Sequence, residues 1–363
     1  MVVTTSNLVY YLIDRGLVAA DSVVDGDYMV AETSRRNRNF KIIRRRHPSY
    51  FVKQIETWDP HAIATLQCEA RCYWLAQNLA AFAPLSPFLP KYYAFDQSRN
   101  ILIVELLQQG EDLTEYHRRL ARFPAEAARR VAEALAVCHR IAPAREEAGN
   151  SGFPRKVPWI LTADQLTADT FAAMSRAHSQ VMAIVRQYPE FQQSLQALRS
   201  PWSFDSFIHG DVKWDNFVVE PANGDGELRL KIVDWELADW GDPCWDVGAI
   251  FQAYLSFWIF SMPAGADAEP SELVTRAQYP LEAMQPAIRE FWRTYLEESR
   301  MEARSVQELL ERSVMCGAAR MIQTAYEAMS YSTGISASIV CLLQLSLNVL
   351  TQPQEAIHDL LGL

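Results

Sequence analysis

The sequence predicts an α+β protein, a small antiparallel sheet followed by a larger, mainly helical region. Three observations carry this. Strand-like runs rich in β-branched and aromatic residues crowd the chain before residue 107. From Leu113 the apolar spacing turns helical and stays so, except for three short apolar runs between Ser206 and Val233. At 363 residues, 49% of them hydrophobic, the chain is long enough for two lobes. The division is expected at residue 107, giving regions 1–107 and 108–363.

The elements follow in order. Ser6 to Arg15 reads as a helix, with Ser6 as cap, Leu8, Val9, Leu12 and Ile13 at helical period, and Gly16 at its end. This helix would brace the sheet or contact a partner. Strands are expected at Tyr28–Glu32, Phe40–Arg44 and Tyr50–Ile55. Asp59-Pro60 then opens a helix, the aspartate capping and the proline in the first turn. Pro84 to Pro90 reads as a loop, and Tyr92–Phe95 and Ile101–Leu106 as strands joined by a turn. Pro124 to Ile141 is a long amphipathic helix. Residues 143–168 are irregular, an expected insertion over a cleft. Thr170 to Leu198 is helical with a break near Pro189. Pro243 to Phe260 reads as a buried helix and Ala264 to Pro270 as a loop. Helices close the chain at Leu281–Arg300, Val306–Met329 and Ser336–Leu361.

The chemistry concentrates between Phe207 and Asp246, FIHGDVKWDNFVVEPANGDGELRLKIVDWELADWGDPCWD. Asp211 follows His-Gly at a tight turn, so its carboxylate can stand out from the backbone. Asn216 lies five residues on, with Lys213 between them. The run Leu228 to Val233 ends on Asp234. Carboxylates and one carboxamide at strand ends suit a magnesium-bound phosphate chain. Phosphoryl transfer needs an oriented acceptor hydroxyl and metal ions that screen phosphate oxygens. Lys213 could neutralise charge on the moving group.

His209-Gly210-Asp211, four residues and Asn216 resemble the catalytic loop of the aminoglycoside phosphotransferase and choline kinase group. Ile232-Val233-Asp234-Trp235-Glu236 resembles that group's metal-binding strand end, and Asp242-Pro243 with Asp246 its next helix start. The resemblance implies a bilobal protein-kinase-like fold, with a nucleotide lobe before residue 107 and the catalytic loop and acceptor site in the helical lobe. It implies Asp211 as catalytic base, Asn216 and Asp234 as magnesium ligands, and Asp246 as a structural partner of the loop. Lys213, two past Asp211, is closer to the serine/threonine kinase pattern.

The same resemblance extends to the first region. Lys53 sits mid-strand, where a lysine must reach water or an anion; the family pattern makes it the ligand of the α- and β-phosphates and Glu69 its partner. Ile103-Val104-Glu105-Leu106-Leu107 resembles the inter-lobe hinge, where adenine bonds to main-chain groups near Glu105 and Leu107. The turn Thr33–Asn39 lacks the glycines that cover phosphates in protein kinases. Either its backbone amides take that role, or Arg35, Arg36 and Arg38 supply charge, or the turn is a solvated basic loop. Trp214, Trp235, Trp240 and Trp245 form either a cage for a quaternary amine or core packing.

The formal charge of −10 argues against a general nucleic-acid binder. The six cysteines show no CxxC pair and no secreted-type framework. No signal peptide is evident, and the most apolar segment, Ala249 to Met262, is too short to span a bilayer. A cytoplasmic protein is expected, with no membrane partner. The implied enzyme is an ATP-dependent kinase with Mg2+, acting on an alcohol. Its acceptor is a small molecule (aminoglycoside, choline or sugar-like) or a peptide Ser/Thr. For the peptide, Ser34–Phe40, Pro48-Ser49-Tyr50 and Val52-Lys53-Gln54 resemble kinases of lanthipeptide-type precursor maturation, in which a partner lyase eliminates the phosphate. The alternative is a catalytically silent nucleotide-binding module.

Overall fold

The computed structural model describes residues 2–33, 37–56, 59–143, 152–165, 167, 174–220, 228–263, 274–300, 306–332 and 334–363. The chain opens with α1 (Leu8–Asp14) and a short α2 (Ala20–Val24), then β1 (Met29–Glu32), β2 (Arg38–Ile43), β3 (Tyr50–Gln54) and α3 (Pro60–Asn78). A 3-10 turn over Ala83–Phe88 leads to β4 (Tyr92–Asp96), β5 (Ile101–Glu105) and β6 (Glu111–Asp112). The helical part begins with α4 (Leu113–Leu120), α5 (Ala125–His139), α6 (Arg176–Gln187) and α7 (Pro189–Arg199). Short strands β7 (Ser206–Ile208), β8 (Phe217–Glu220), β9 (Arg229–Ile232) and β10 (Asp239–Gly241) follow. The last helices are α8 (Cys244–Phe260), α9 (Leu281–Ser299), α10 (Val306–Glu327) and α11 (Ala337–Thr351).

Two compact units result: Met1–Asp112 with Asn216–Ala238, and Leu113–Asp215 with Asp239–Leu363. The β8–β9 hairpin thus leaves its sequence neighbours and joins the first unit. A linear reading of the chain gives no sign of this, because it depends on β8 pairing with β6, far back in sequence.

In the first unit five antiparallel strands run in the order β1-β2-β3-β5-β4. Phe40, Val52 and Ile103 sit in register across β2, β3 and β5. They bury one face with Ile42, Tyr50 and Ile101 against Val3, Leu8, Tyr11 and Leu12. The N-terminal segment is therefore a brace, its Leu8, Tyr11 and Leu12 meeting the sheet at i, i+3, i+4 spacing. Each fully buried Leu here is worth about 2 kcal/mol. Polar ties fix the brace: Tyr11 Oη and the Arg15 guanidinium both meet the Asp96 carboxylate, and Arg99 joins at 3.1 Å. Ser6 does not cap α1. Asn7 holds that position, and Thr4 and Asn7 exchange side-chain-to-backbone bonds just before the helix. Asp59 does cap α3, accepting from the His61 amide at 3.0 Å, with Pro60 at the first position.

In the second unit α5 packs on α9, and α8 packs on α10. Helix α8 is buried around nearly its whole circumference, as its apolar sequence requires. It meets α10 through glycine on glycine. A Cβ at Gly248 would lie 2.3 Å from Ser313 O, and one at Gly317 2.6 Å from Gly248 O. Any side chain at either position pushes the helices apart. The expected break near Pro189 is present, with α6 capped by Ser175. The expected last helix is divided: α11 stops at Gln352, in a non-helical conformation before Pro353, and a π turn spans Ala356–Leu361. Pro84–Pro90, expected as a loop, is largely a 3-10 turn. The expected loop 264–270 lies outside the described residues. Part of 143–168 does too, and the described remainder packs down, with Phe153 buried against Phe207 and Trp240. No described helix is long and apolar enough to cross a membrane.

Candidate active site

The first unit assembles a cation between two carboxylates. Lys53 is on β3, on the sheet face opposite the core residue Val52. Its Nζ lies 2.7 Å from Glu69 Oε2 of α3 and 2.8 Å from Asp234 Oδ1 after β9. All three residues were marked by sequence, and the structure brings them together. Lys53 and Glu69 are buried, at 8% and 5% exposure, while the Asp234 side chain keeps 32%. Burial works against the Lys53 ammonium, yet Glu69 and Asp234 outweigh it and hold its pKa above the ordinary lysine value. Burial also pushes the Glu69 carboxyl up to about 7, against the pull of Lys53.

Asp234 takes a left-handed backbone conformation, φ 63° and ψ 53°. Such a conformation is uncommon for a residue with a side chain, and is often found where function demands a particular aim. The β8–β9 register, Phe217 opposite Ile232, places Asn216 beside Val233. The Val233 amide donates to Asn216 O at 2.9 Å. Asn216 is thus buried next to the residue that precedes Asp234. An amide oxygen and a carboxylate are hard donors that suit Mg2+, which commonly takes one or two protein ligands and completes its shell with phosphate oxygens and water. Among the described residues no cluster of three or more His, Cys, Asp or Glu forms a self-sufficient metal cage. Asn216 and Asp234 are two donors of the kind that suits an ion completing its shell with phosphate oxygens and water.

The remaining marked residues of this unit are placed as follows. Glu105 ends β5; its amide donates to Lys91 O and its carboxylate accepts from the Lys91 amide. The Leu107 carbonyl accepts from Gly110, where a Cβ would stand 2.4 Å from Val218 Cγ1. Only glycine fits there. Arg35 and Arg36 lie outside the described residues. Arg38 is paired with Glu56 and donates to Val3 O at 3.0 Å, tying the N-terminal segment to β2.

The second unit builds the His-Gly-Asp loop. β7 pairs antiparallel with β10 and delivers the chain into the turn, where Gly210 adopts φ 79°. Asp246, wholly buried in the first turn of α8, accepts from the His209 amide at 2.6 Å and the Gly210 amide at 3.1 Å. His139 Nε2 lies 3.3 Å from the same carboxylate, and Tyr295 Oη 2.8 Å from His139 Nδ1. Burial alone would raise the Asp246 pKa; these partners instead keep it below the ordinary value. The Asp246 role implied by the resemblance is seen here as geometry.

Asp211 is 9% exposed, and Lys213 Nζ lies 2.7 Å from its Oδ2. Burial would raise this carboxyl, but Lys213 and then Arg320 overcome it and hold it at about 2. Asp211 is therefore fully ionised at neutral pH. Sequence reading missed Arg320, His139, Tyr295 and the Gly248–Gly317 contact. All lie far from the motif in sequence, and none carries a spacing that marks it.

The four tryptophans do not form a cage. Trp235 belongs to the first unit and is fully buried, its indole N–H on Ile232 O. Trp240 packs on Phe153 and Phe207, and Trp245 faces Trp202. Trp214 joins His117, Tyr254 and Phe257. They are core residues of separate clusters.

A family model described as the phosphotransferase enzyme family matches residues 30–311. The GDP complex of wild-type aminoglycoside 2'-phosphotransferase-IIIa has a similar fold, with a TM-score of 0.53, 13% identity, and 95% of this chain and 99% of that one covered. A choline/ethanolamine kinase family protein from Mesorhizobium loti gives 0.50 at 16% identity, covering 96% and 94%. Amicoumacin kinase hAmiN, in complex with AMP-PNP, Ca2+ and Ami, gives 0.50 at 10%, covering 94% and 96%. No curated protein matches the sequence. With a family model spanning most of the chain over an α+β fold, the chain belongs to the phosphotransferase enzyme family.

Proposed function

We propose that the chain moves the γ-phosphoryl group of ATP to the hydroxyl of a small molecule, with Asp211 as the base. The observation that carries this is the buried Lys53, held between Glu69 and Asp234 and still fully charged. A silent nucleotide-binding module has no need of Asp211 and Lys213 in addition. Lys53 binds the α- and β-phosphates, and Glu69 fixes its direction. Main-chain groups at Glu105 and Leu107 take the adenine. Asn216 and Asp234 would hold Mg2+, which when bound screens the phosphate oxygens. Asp211 accepts a hydrogen bond from the acceptor hydroxyl and aims its oxygen in line with the γ-phosphorus. The new P–O bond forms as the bond to ADP breaks, and the hydroxyl proton passes to the Asp211 carboxylate.

A carboxyl held near 2 is a weak base at neutral pH. Its main contribution is orientation, with proton transfer late, when the bridging oxygen has become acidic. Lys213, paired with Asp211 at 2.7 Å, would meet charge on the moving group. That pair also fits a peptide Ser/Thr acceptor of the lanthipeptide type, handed on to a lyase. Parallel assays with amino alcohols, sugars and Ser/Thr peptides separate the two. The test of the chemistry is Asp211→Asn: turnover should fall by about 10³-fold or more while nucleotide Kd stays within about threefold. Turnover near wild type would remove the base assignment.

A further inference from the structure

Arg320 comes from the middle of α10 and is 5% exposed. Its guanidinium donates to Val212 O at 2.8 Å and to Gly210 O at 3.3 Å, the carbonyls on either side of Asp211. The same group lies 3.6 Å from Asp211 Oδ1 and stacks 5.1 Å above the Trp245 ring. The Trp245 indole N–H also donates to Gly210 O, at 3.1 Å. The reach is set one helical turn earlier, where Gly317 sits against Gly248 and brings α10 onto α8. The loop is then held from two helices: its amides by Asp246 of α8, its carbonyls by Arg320 of α10.

We infer that Arg320 is a positioning residue of the transfer reaction, one that pins the carbonyls flanking Asp211 and fixes where its carboxylate points. The inference rests on Asp211 being the base. An arginine suits the task because its planar fork makes several bonds in fixed directions and is always charged. Its charge has a second effect. Among the described residues, Lys213 and His209 on the loop and Arg320 from α10 are cationic or titratable groups that act on Asp211, with Asp246 and His139 on the backbone side of the loop. Lys213 is half-exposed and screened by water, whereas Arg320 is buried, and its share of the attraction persists at high salt.

The test compares Arg320→Met, Arg320→Lys and Asp211→Asn. Turnover of ATP is followed against pH, with water or a hydroxyl compound as acceptor. Titration of the Asp211 carboxyl is followed by 13C NMR on aspartate-labelled protein, assigned by loss of the signal in Asp211→Asn. Arg320→Met should lower kcat by about 10²-fold, since a small misplacement of a catalytic group costs that much, with the KM for ATP within about threefold. Its acid limb and the Asp211 carbon signal should both move up by about one pH unit. Arg320→Lys should restore the acid limb, because charge returns, and only part of kcat, because the fork does not.

An unmoved Asp211 titration in Arg320→Met overturns the inference, even if kcat falls. If Arg320→Met does not fold, Arg320→Lys decides, and a wild-type kcat there overturns it. If turnover proves too slow to follow, the carboxyl titration decides alone. Full activity in Asp211→Asn would instead remove the base reading and leave the titration result standing as a separate fact.

Discussion

Replacing Lys53 with Met removes the ammonium that sits between Glu69 and Asp234. Breaking a buried ion pair by deleting one partner costs about 3–5 kcal/mol, because the remaining charge is left uncompensated. The deficit should depend on pH in a definite way. Burial already lifts the Glu69 carboxyl to about 7 with Lys53 present. A carboxyl whose pKa is higher folded than unfolded binds more protons in the native state. Stability therefore falls as pH rises through the window between the two values, at up to about 1.4 kcal/mol per pH unit. In the wild type that window closes near pH 7. Without the ammonium it extends upward, so Lys53→Met should lose stability more steeply than the wild type between pH 7 and 8.5, where the Glu69 contribution in the wild type fades. Urea unfolding of both proteins across that range measures the slope directly. Nucleotide binding supplies the second readout, with an expected loss of about tenfold to a hundredfold in affinity. A deficit that does not change with pH, together with unaltered nucleotide affinity, would refute the account of this lysine.

Three further outcomes are expected. Asp246→Ala leaves the His209 and Gly210 amides buried without their acceptor, and thermal unfolding should show a loss of about 4 kcal/mol with activity abolished. Gly317→Ala should cost about 1–3 kcal/mol by forcing α8 and α10 apart, whereas Gly334→Ala, with open space around its Cβ, should be neutral in the same melts. Asp96 is held at about 2 by its partners, Ser98 and Arg99 foremost, against the effect of burial. Its folded pKa is depressed, so it stabilises the fold above pH 3.8 and loses that effect as pH falls through 2. Asp96→Asn should thus show its deficit at neutral pH, narrowing in acid, when both proteins are compared by denaturant titration.

Local chemistry was legible in the sequence. The Asp59-Pro60 start, the Pro189 break and the apolar α8 each depend on residues close together in the chain. The same holds for Lys53, Glu69 and Asp234, which motif and strand position marked before geometry joined them. What could not be read depends on pairing at a distance. The β8–β9 hairpin joins the first unit through β6, and Arg320 reaches the loop across 108 residues. Gly248 and Gly317 look like weak points of two helices until the helices are seen to touch there. The sequence left three readings of the basic turn open, and it gave no sign that Arg38 would tie to Glu56 and to the Val3 carbonyl. The tryptophans share a stretch of sequence and nothing else, because turns between them send each into a different cluster.

Asn216 and Asp234 are proposed to hold a divalent ion on the triphosphate. The most direct test is a crystal structure with a non-hydrolysable ATP analogue and Mn2+, the ion located by its anomalous signal. The expected result is Mn2+ bonded to the Asn216 side-chain oxygen and an Asp234 oxygen, with phosphate oxygens and water completing its shell. An ion bound to the phosphates with neither side chain in its shell would contradict it.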